Sequence, residues 1–368
     1  MTTNFPLILL ALLSSVTSLN WTYNPGCEDV TLCGEANMLH VQTRYHQYLW
    51  STQNGLSTVI FSGNGQLSVN WTVYNEGGNS AVTVDTTSSL GLTFKSLYLE
   101  NSTHHNQTID LTAPSIRWRP LSIGNSTSTG PELQFSYTSS FMTVTVNVTE
   151  SNRTRRMDEI PKMKITENNT LVDISVNLAG VPGLWVSQPT LAQIELEVAP
   201  AGINDTKQET SKSFDDEVAP ALFRYDILRS HEGNWTKTGV YAMWRPVVYA
   251  DSEKGKRTLI SSLSSENINS SDHLDPSPSL LSKYYKKSDI SLLRLTISPP
   301  EGKDCVPETF FWSLALGVGK PQSESLTIFG SILTLIIIGL PSAALILGVA
   351  LIVIRRRQAH PGQGYRAI

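Results

Sequence analysis

Charge is scarce in this chain. Lys, Arg, Asp and Glu make up 16% of 368 residues, and the formal net charge is −4. The last 14 residues hold four arginines and no acid, so the rest carries 24 basic against 32 acidic groups, a balance of −8. A nucleic-acid binder needs a basic stripe, and that class is excluded. The basic groups that do cluster, Arg153, Arg155 and Arg156, then Lys254, Lys256 and Arg257, read as solvated loops. Cysteine is rarer still, with three residues: Cys27, Cys33 and Cys305. A zinc site needs Cys and His at short spacing, which is absent, so no metal or other cofactor is expected. Helical periodicity is weak everywhere except near the C-terminus, which argues against a helical bundle.

What the chain has is two apolar runs, one at each end. Leu326 to Ile354 is 29 residues without a charged side chain, followed at once by Arg355, Arg356 and Arg357. A run of that length reads as a membrane-spanning helix, and the arginines mark its cytoplasmic flank. Beyond it lie 14 residues ending in Gly364-Tyr365-Arg366-Ala367-Ile368. A tail so short acts as an address. Tyr365 and Ile368 have the Tyr-x-x-apolar form of a lysosomal sorting signal, read by a clathrin adaptor. At the other end, Phe5 to Val16 is too short to span and fits a signal-peptide core, with small residues at Val16-Thr17-Ser18 for cleavage. The expected layout is a signal peptide over 1–18 and a lumenal ectodomain over 19–324. A transmembrane helix over 326–354 and a cytoplasmic tail over 355–368 complete a single-pass type I protein.

Sugar acceptors agree with that layout. Asn-x-Ser/Thr occurs at Asn20, Asn70, Asn101, Asn106, Asn125, Asn147, Asn152, Asn168, Asn204, Asn234 and Asn269. All lie on the expected lumenal side, where chance would give roughly four. An occupied site must be exposed, and a dense coat hinders proteases. In an oxidising lumen one disulfide is expected among three cysteines, with one thiol left over. Cys27 with Cys33 closes a small loop. Either one with Cys305 would tie the start of the ectodomain to its end. The local pair is the leading alternative.

Alternation with a period of two recurs through the ectodomain. It is clear in Leu67–Val73, Phe141–Val148, Leu171–Leu178, Ile194–Val198 and Leu293–Ile297. Turn residues at Gln53-Asn54-Gly55, Gly63-Asn64-Gly65, Glu76-Gly77-Gly78 and Pro182-Gly183 separate such runs. The fold class is mainly β, an antiparallel β-sandwich ectodomain plus one C-terminal helix. About 305 residues exceeds one usual core, so two packed sandwiches are expected, with a boundary near 151–169. Trp118-Arg119-Pro120 recurs as Trp244-Arg245-Pro246, a weak sign of duplication. Ser261–Ser288 reads as a long surface loop.

No constellation for catalysis stands out. Neither Gly-x-Ser-x-Gly nor His-Glu-x-x-His occurs. His104-His105 and Asp215-Asp216-Glu217 read as exposed loops. The eight tryptophans, Trp21, Trp50, Trp71, Trp118, Trp185, Trp235, Trp244 and Trp312, read as sandwich core before sugar groove. The chain is therefore expected to be non-enzymatic. The competing readings are a membrane-anchored lysosomal hydrolase and a ligand-binding receptor, and the short tail argues against signalling.

Several features together resemble the glycosylated lysosomal membrane protein family. They are Asn24-Pro25-Gly26-Cys27, Leu32-Cys33-Gly34, the sequon-studded β-rich ectodomain, the single late span and the terminal Gly-Tyr-Arg-Ala-Ile. The resemblance implies an accessory subunit of a lysosomal dipeptide transporter of the major facilitator superfamily. It implies binding through the lumenal domain, delivery to the lysosome and protection from proteolysis. It carries over no catalytic residue. The span fits such a role. It has no ionisable group for an ion path, and Gly339/Ala343 and Ala344/Gly348 have small-xxx-small spacing. Twenty-nine helical residues reach about 43 Å against a core of roughly 30 Å, so the helix must tilt, kink at Pro341 or protrude.

Overall fold

In the computed structural model, the described residues are 20–33, 38–86, 88–101, 106–126, 130–139, 142–150, 155–156, 163–178, 189–201, 207–215, 221–230, 239–249, 259–268, 276–298, 306, 308–322 and 328–359. They fall into two compact units, one of residues 1–211 with 225–322, the other of 212–224 with 323–368.

The first unit is a β-sandwich. Its first sheet runs Asn20–Tyr23, Met38–Gln42, His46–Ser51, Ser57–Ser62, Ser89–Asn101, Pro189–Ala201, Ser291–Ile297 and Leu259–Ile268, each antiparallel to the next. Gln107–Asp110 pairs with the far end of the Ser89–Asn101 strand. The second sheet runs Arg119–Ser126, Gly130–Thr138, Thr143–Thr149, Asn169–Asn177, Thr309–Val318, Val240–Trp244 and the 226–229 end of the Ala221–Arg229 strand. The Leu259–Ile268 strand crosses between the sheets. Its first residues pair with Val247–Tyr249 beside the second sheet, and the rest with Ser291–Ile297 in the first.

One continuous apolar core fills the space between the sheets, drawing Tyr48, Trp50, Leu97 and Ile194 from one and Val144, Val146, Ile174 and Trp312 from the other. Trp50 meets Phe135 across it with ring centroids 5.3 Å apart. Two packed sandwiches were the expectation, and the described strands form one. The strands on either side of the 151–169 segment, Thr143–Thr149 and Asn169–Asn177, are hydrogen-bonded neighbours. The expected boundary therefore falls between two adjacent strands of one sheet. The repeated Trp-Arg-Pro motifs do not mark equivalent places. Trp118 precedes the edge strand Arg119–Ser126, while Trp244 ends a strand inside the second sheet.

A third layer covers the outer face of the first sheet. It consists of the helices Trp71–Asn75 and Leu280–Tyr284 and the ribbon Leu67–Val69/Val82–Val84. Trp71, Tyr74, Leu280, Leu281 and Tyr285 pack there on Met38, Leu49, Val59 and Phe61 in a second apolar cluster. This is why all six residues of His46–Ser51 and of Ser57–Ser62 are buried. The helix sits against bare backbone at Gly91, where an added Cβ would lie 2.7 Å from the Tyr285 ring and 3.0 Å from Leu281.

Two local expectations change. Leu67–Val73 alternates like one strand, but the strand stops at Val69 and a helix begins at Trp71. The side chain of Asn70 caps that helix by accepting from the Val73 N–H at 3.2 Å. The indole N–H of Trp71 donates to the Pro25 carbonyl at 3.1 Å, which holds the helix inward. The expected surface loop Ser261–Ser288 instead holds most of a strand, Leu259–Ile268, and the buried helix Leu280–Tyr284. Its serines are compatible with both, and composition concealed the pairing. The turn at Gln53-Asn54-Gly55 is as expected, with Asn54 at φ 55° and Gly55 at φ 109° joining adjacent strands.

Within the second unit, Ile328–Thr334 and Leu340–Ala359 are α-helical, and Leu335–Gly339 between them forms a π-helical turn. Pro341 explains the irregularity. It lacks an N–H and clashes with the carbonyl one turn back, so the regular hydrogen-bond ladder cannot pass through it. The hydroxyl of Ser342 donates to the Ile338 carbonyl at 2.7 Å.

Candidate functional site: an apolar span, sugar acceptors and a buried acid

Residues Gly330–Arg356 form one helix of 27 residues, long and apolar enough to cross a bilayer, and its most apolar 18-residue stretch has a mean hydropathy of 2.7. Its apolar side chains are exposed along its length, from Ile332 at 51% through Leu335 at 70% to Leu345 at 69%. A helix that is apolar all round and uncovered is soluble only in lipid. Arg355 and Arg356 lie exposed at its C-terminal end, where cations also suit the helix dipole. Tyr365 and Ile368 lie outside the described residues.

The acceptor asparagines whose side chains are described are Asn20, Asn70, Asn106, Asn147 and Asn168, and none is buried. Asn70 caps its helix through its carbonyl oxygen, which leaves the amide nitrogen, the atom that carries a glycan, pointing away. Asn147 stands on the outer side of the second sheet, between the inward Val146 and Val148. The side chains of Asn101 and Asn125 and all of Asn152, Asn204, Asn234 and Asn269 lie outside the description, as do His104, His105, Asp216, Glu217, Trp185 and Trp235.

Cys27 and Cys33 are joined by a disulfide with Cα atoms 6.3 Å apart, the local pairing. Cys305 lies outside the described residues. Five tryptophans, Trp50, Trp71, Trp118, Trp244 and Trp312, are buried core rather than groove lining, while Trp21 is 44% exposed on the first strand.

Among the described residues no group of three or more His, Cys, Asp or Glu is placed to hold a metal ion. Three buried ionisable groups among the described residues serve the fold or face other polar groups. Glu197 forms an ion pair with Lys95 at 3.3 Å and accepts from the Ser277 backbone N–H at 2.9 Å, pinning the segment before the Leu280–Tyr284 helix. Lys283 donates to the Tyr74 carbonyl at 2.6 Å and lies 3.8 Å from the centre of that ring. Burial lowers its pKa to about 8. The third group was not legible in the sequence. Glu150 is fully buried between the sheets beside Thr170, Tyr48 and His46, which arrive from distant segments. Burial raises the Glu150 carboxyl to about 7 and lowers the His46 imidazole to about 4.

Comparison with known proteins bears on this combination of span, acceptors and sandwich. The family described as "Glycosylated lysosomal membrane protein" matches residues 37–359. The chain belongs to this family. A relative from Xenopus laevis, glycosylated lysosomal membrane protein B, is 22% identical over 379 aligned positions, covering 92% of this chain and 90% of the relative. Family members are lysosomal membrane glycoproteins, and among the described residues the unburied acceptors and the one membrane-length apolar helix are the parts that meet that description.

Proposed function

We propose that this chain is a non-enzymatic, single-pass type I accessory subunit of a lysosomal dipeptide transporter of the major facilitator superfamily. The sandwich lies in the lumen and grips the transporter there. Its glycans shield both chains from lysosomal proteases. Tyr365 and Ile368 fill the two pockets of a clathrin adaptor and deliver the pair. The observation that carries this reading is the contrast within one chain of the family. A large folded domain is joined to a span with no ionisable residue from Leu326 to Ile354. Such a span offers no ion or proton path, so transport chemistry must belong to another protein. A lone apolar helix can still pack on a second one, and Gly339, Ala343, Ala344 and Gly348 give it close-approach positions.

Purification from lysosomal membranes in mild detergent tests the reading. A multi-span transporter recovered in near-equal amount is the expected result. Repeated recovery of the chain alone would overturn it. Removing several acceptor asparagines together should shorten the lifetime of both chains, and Tyr365→Ala should move them away from lysosomes. A hydrolase screen of the purified glycoprotein at acidic pH should find no turnover.

A further inference from the structure

Within the largely apolar space between the sheets lies a chain of hydrogen-bonded polar groups. His46 and Tyr48 point inward from the first sheet, and Thr170 from the second. Glu150 follows the end of the Thr143–Thr149 strand. All four are buried. Thr170 Oγ1 is hydrogen-bonded to Glu150 Oε1. His46 Nε2 lies 3.4 Å from the same hydroxyl oxygen, and Nδ1 lies 3.1 Å from Thr43 Oγ1. A threonine hydroxyl has one hydrogen. The single Thr43 hydrogen lies on the His46 carbonyl at 2.7 Å, so Nδ1–H donates to Thr43 Oγ1; a neutral imidazole then accepts the Thr170 hydrogen at Nε2, and a protonated Glu150 carboxyl donates to the Thr170 oxygen. Tyr48 also hydrogen-bonds Glu150.

The surroundings decide where the proton rests. From the first sheet, the residues paired with His46 and Tyr48 are Ser62, Ile60 and Val41, none of which titrates. His40 pairs with Leu49, whose side chain belongs to the outer cluster, so it faces away. From the second sheet, Val172 and Leu316 flank or oppose Thr170 without charge, and Tyr241 stands on the next strand with burial holding its hydroxyl neutral. Among the described residues, the titratable groups facing Glu150 are thus Tyr48 and, through Thr170, His46. An imidazolium and a carboxylate separated by a hydroxyl would lose the hydration of two charges and recover only a distant attraction. The neutral acid and neutral imidazole keep every hydrogen bond and bury no charge.

We propose that folding moves one proton from the His46 imidazole to the Glu150 carboxyl, so that the seam between the sheets stays neutral and equally strong from near-neutral to acidic pH. The proton count balances. In the unfolded chain at intermediate pH the imidazole is charged and the carboxyl ionised. In the folded chain both are neutral, with the same number of protons. For Glu150 the folded value, about 7, lies above the ordinary 4.5. Its stabilisation is complete below 4.5 and is lost as pH rises through 7. For His46 the folded value, about 4, lies below the ordinary 6.5. Its stabilisation is complete above 6.5 and is lost as pH falls through 4. Between 4.5 and 6.5 the two slopes are equal and opposite. A protein that passes from neutral compartments to an acidic one gains a core indifferent to the change.

Urea unfolding of the full-length glycoprotein in detergent, followed by tryptophan fluorescence, tests this when compared at pH 4.5 and 6.5. Relative to wild type, Glu150→Gln leaves His46 uncompensated. Its unfolding constant should rise about fortyfold on going from pH 6.5 to 4.5, a full tenfold per pH unit applying only well between the two pKa values. His46→Gln leaves Glu150 uncompensated and should show the reverse, a rise of about fortyfold from pH 4.5 to 6.5. The double variant should run parallel to wild type. Single variants that run parallel to wild type, or that shift in the same direction, overturn the proposal. A measurement on wild type alone covers the case of a variant that does not fold. At pH 6 the infrared carbonyl band of a protonated carboxyl should be present in the folded protein and vanish on unfolding. Absence of that band from the folded protein also overturns the proposal.

Discussion

The strands His46–Ser51 and Thr143–Thr149 sit in the middle of the two facing sheets, yet they experience different surroundings. Every residue of the first is buried, because the small helices and the ribbon form a third layer behind it. The second buries Val144, Val146 and Val148 and leaves Thr143, Thr145 and Asn147 half-buried. The same architecture thus offers one outer face to packing and part of the other to water and sugar. An acceptor asparagine in the centre of a strand is tolerated only on the second kind of face, since a glycan cannot enter a packed layer.

Substitutions on the two outer faces should separate them, and the largest effect is expected at Leu49. Leu49→Asn removes an apolar side chain from the covered face and buries an amide without partners, at about 3–5 kcal/mol by denaturant unfolding. Next is Gly91→Val. Its side chain meets Tyr285 and Leu281, and the third layer should lift at about 1–3 kcal/mol, seen as faster proteolysis near residues 276–290. At Asn70 two variants divide capping from glycosylation. Asn70→Ala should lose about 1 kcal/mol, whereas Asn70→Asp keeps an acceptor for the Val73 N–H and should lose little, although both remove the glycan. Smallest is Asn147→Gln on the open face, with a stability change below about 0.5 kcal/mol and a gel shift of one glycan. A loss at Asn147 as large as that at Leu49 would erase the distinction between the faces.

The same difference explains what could be read from the chain. Half-buried strands alternate, so Phe141–Val148, Leu171–Leu178 and Leu293–Ile297 announce themselves. Strands buried on both faces do not alternate. His46–Ser51 mixes His, Gln, Tyr and Trp, all buried, and carries no periodic signal. Pairing between distant segments is equally silent. The Asn169–Asn177 strand bonds to Thr309–Val318, which makes one sandwich out of a length that implied two. His46 and Thr170 meet across 124 positions, so no local motif could place Glu150 beside them. The span and the acceptors were legible because each depends only on a short run of residues, and the capped helix at Trp71–Asn75 was missed because a single side-chain oxygen at Asn70 interrupts the alternation.

Membrane topology is the claim on which the proposed role depends, and protease treatment of sealed lysosomes measures it directly. With the sandwich lumenal, added protease should remove only the tail after Arg357, and digestion should extend into the folded domain only once detergent opens the membrane. Loss of the sandwich from intact vesicles, with the tail protected, would contradict the account.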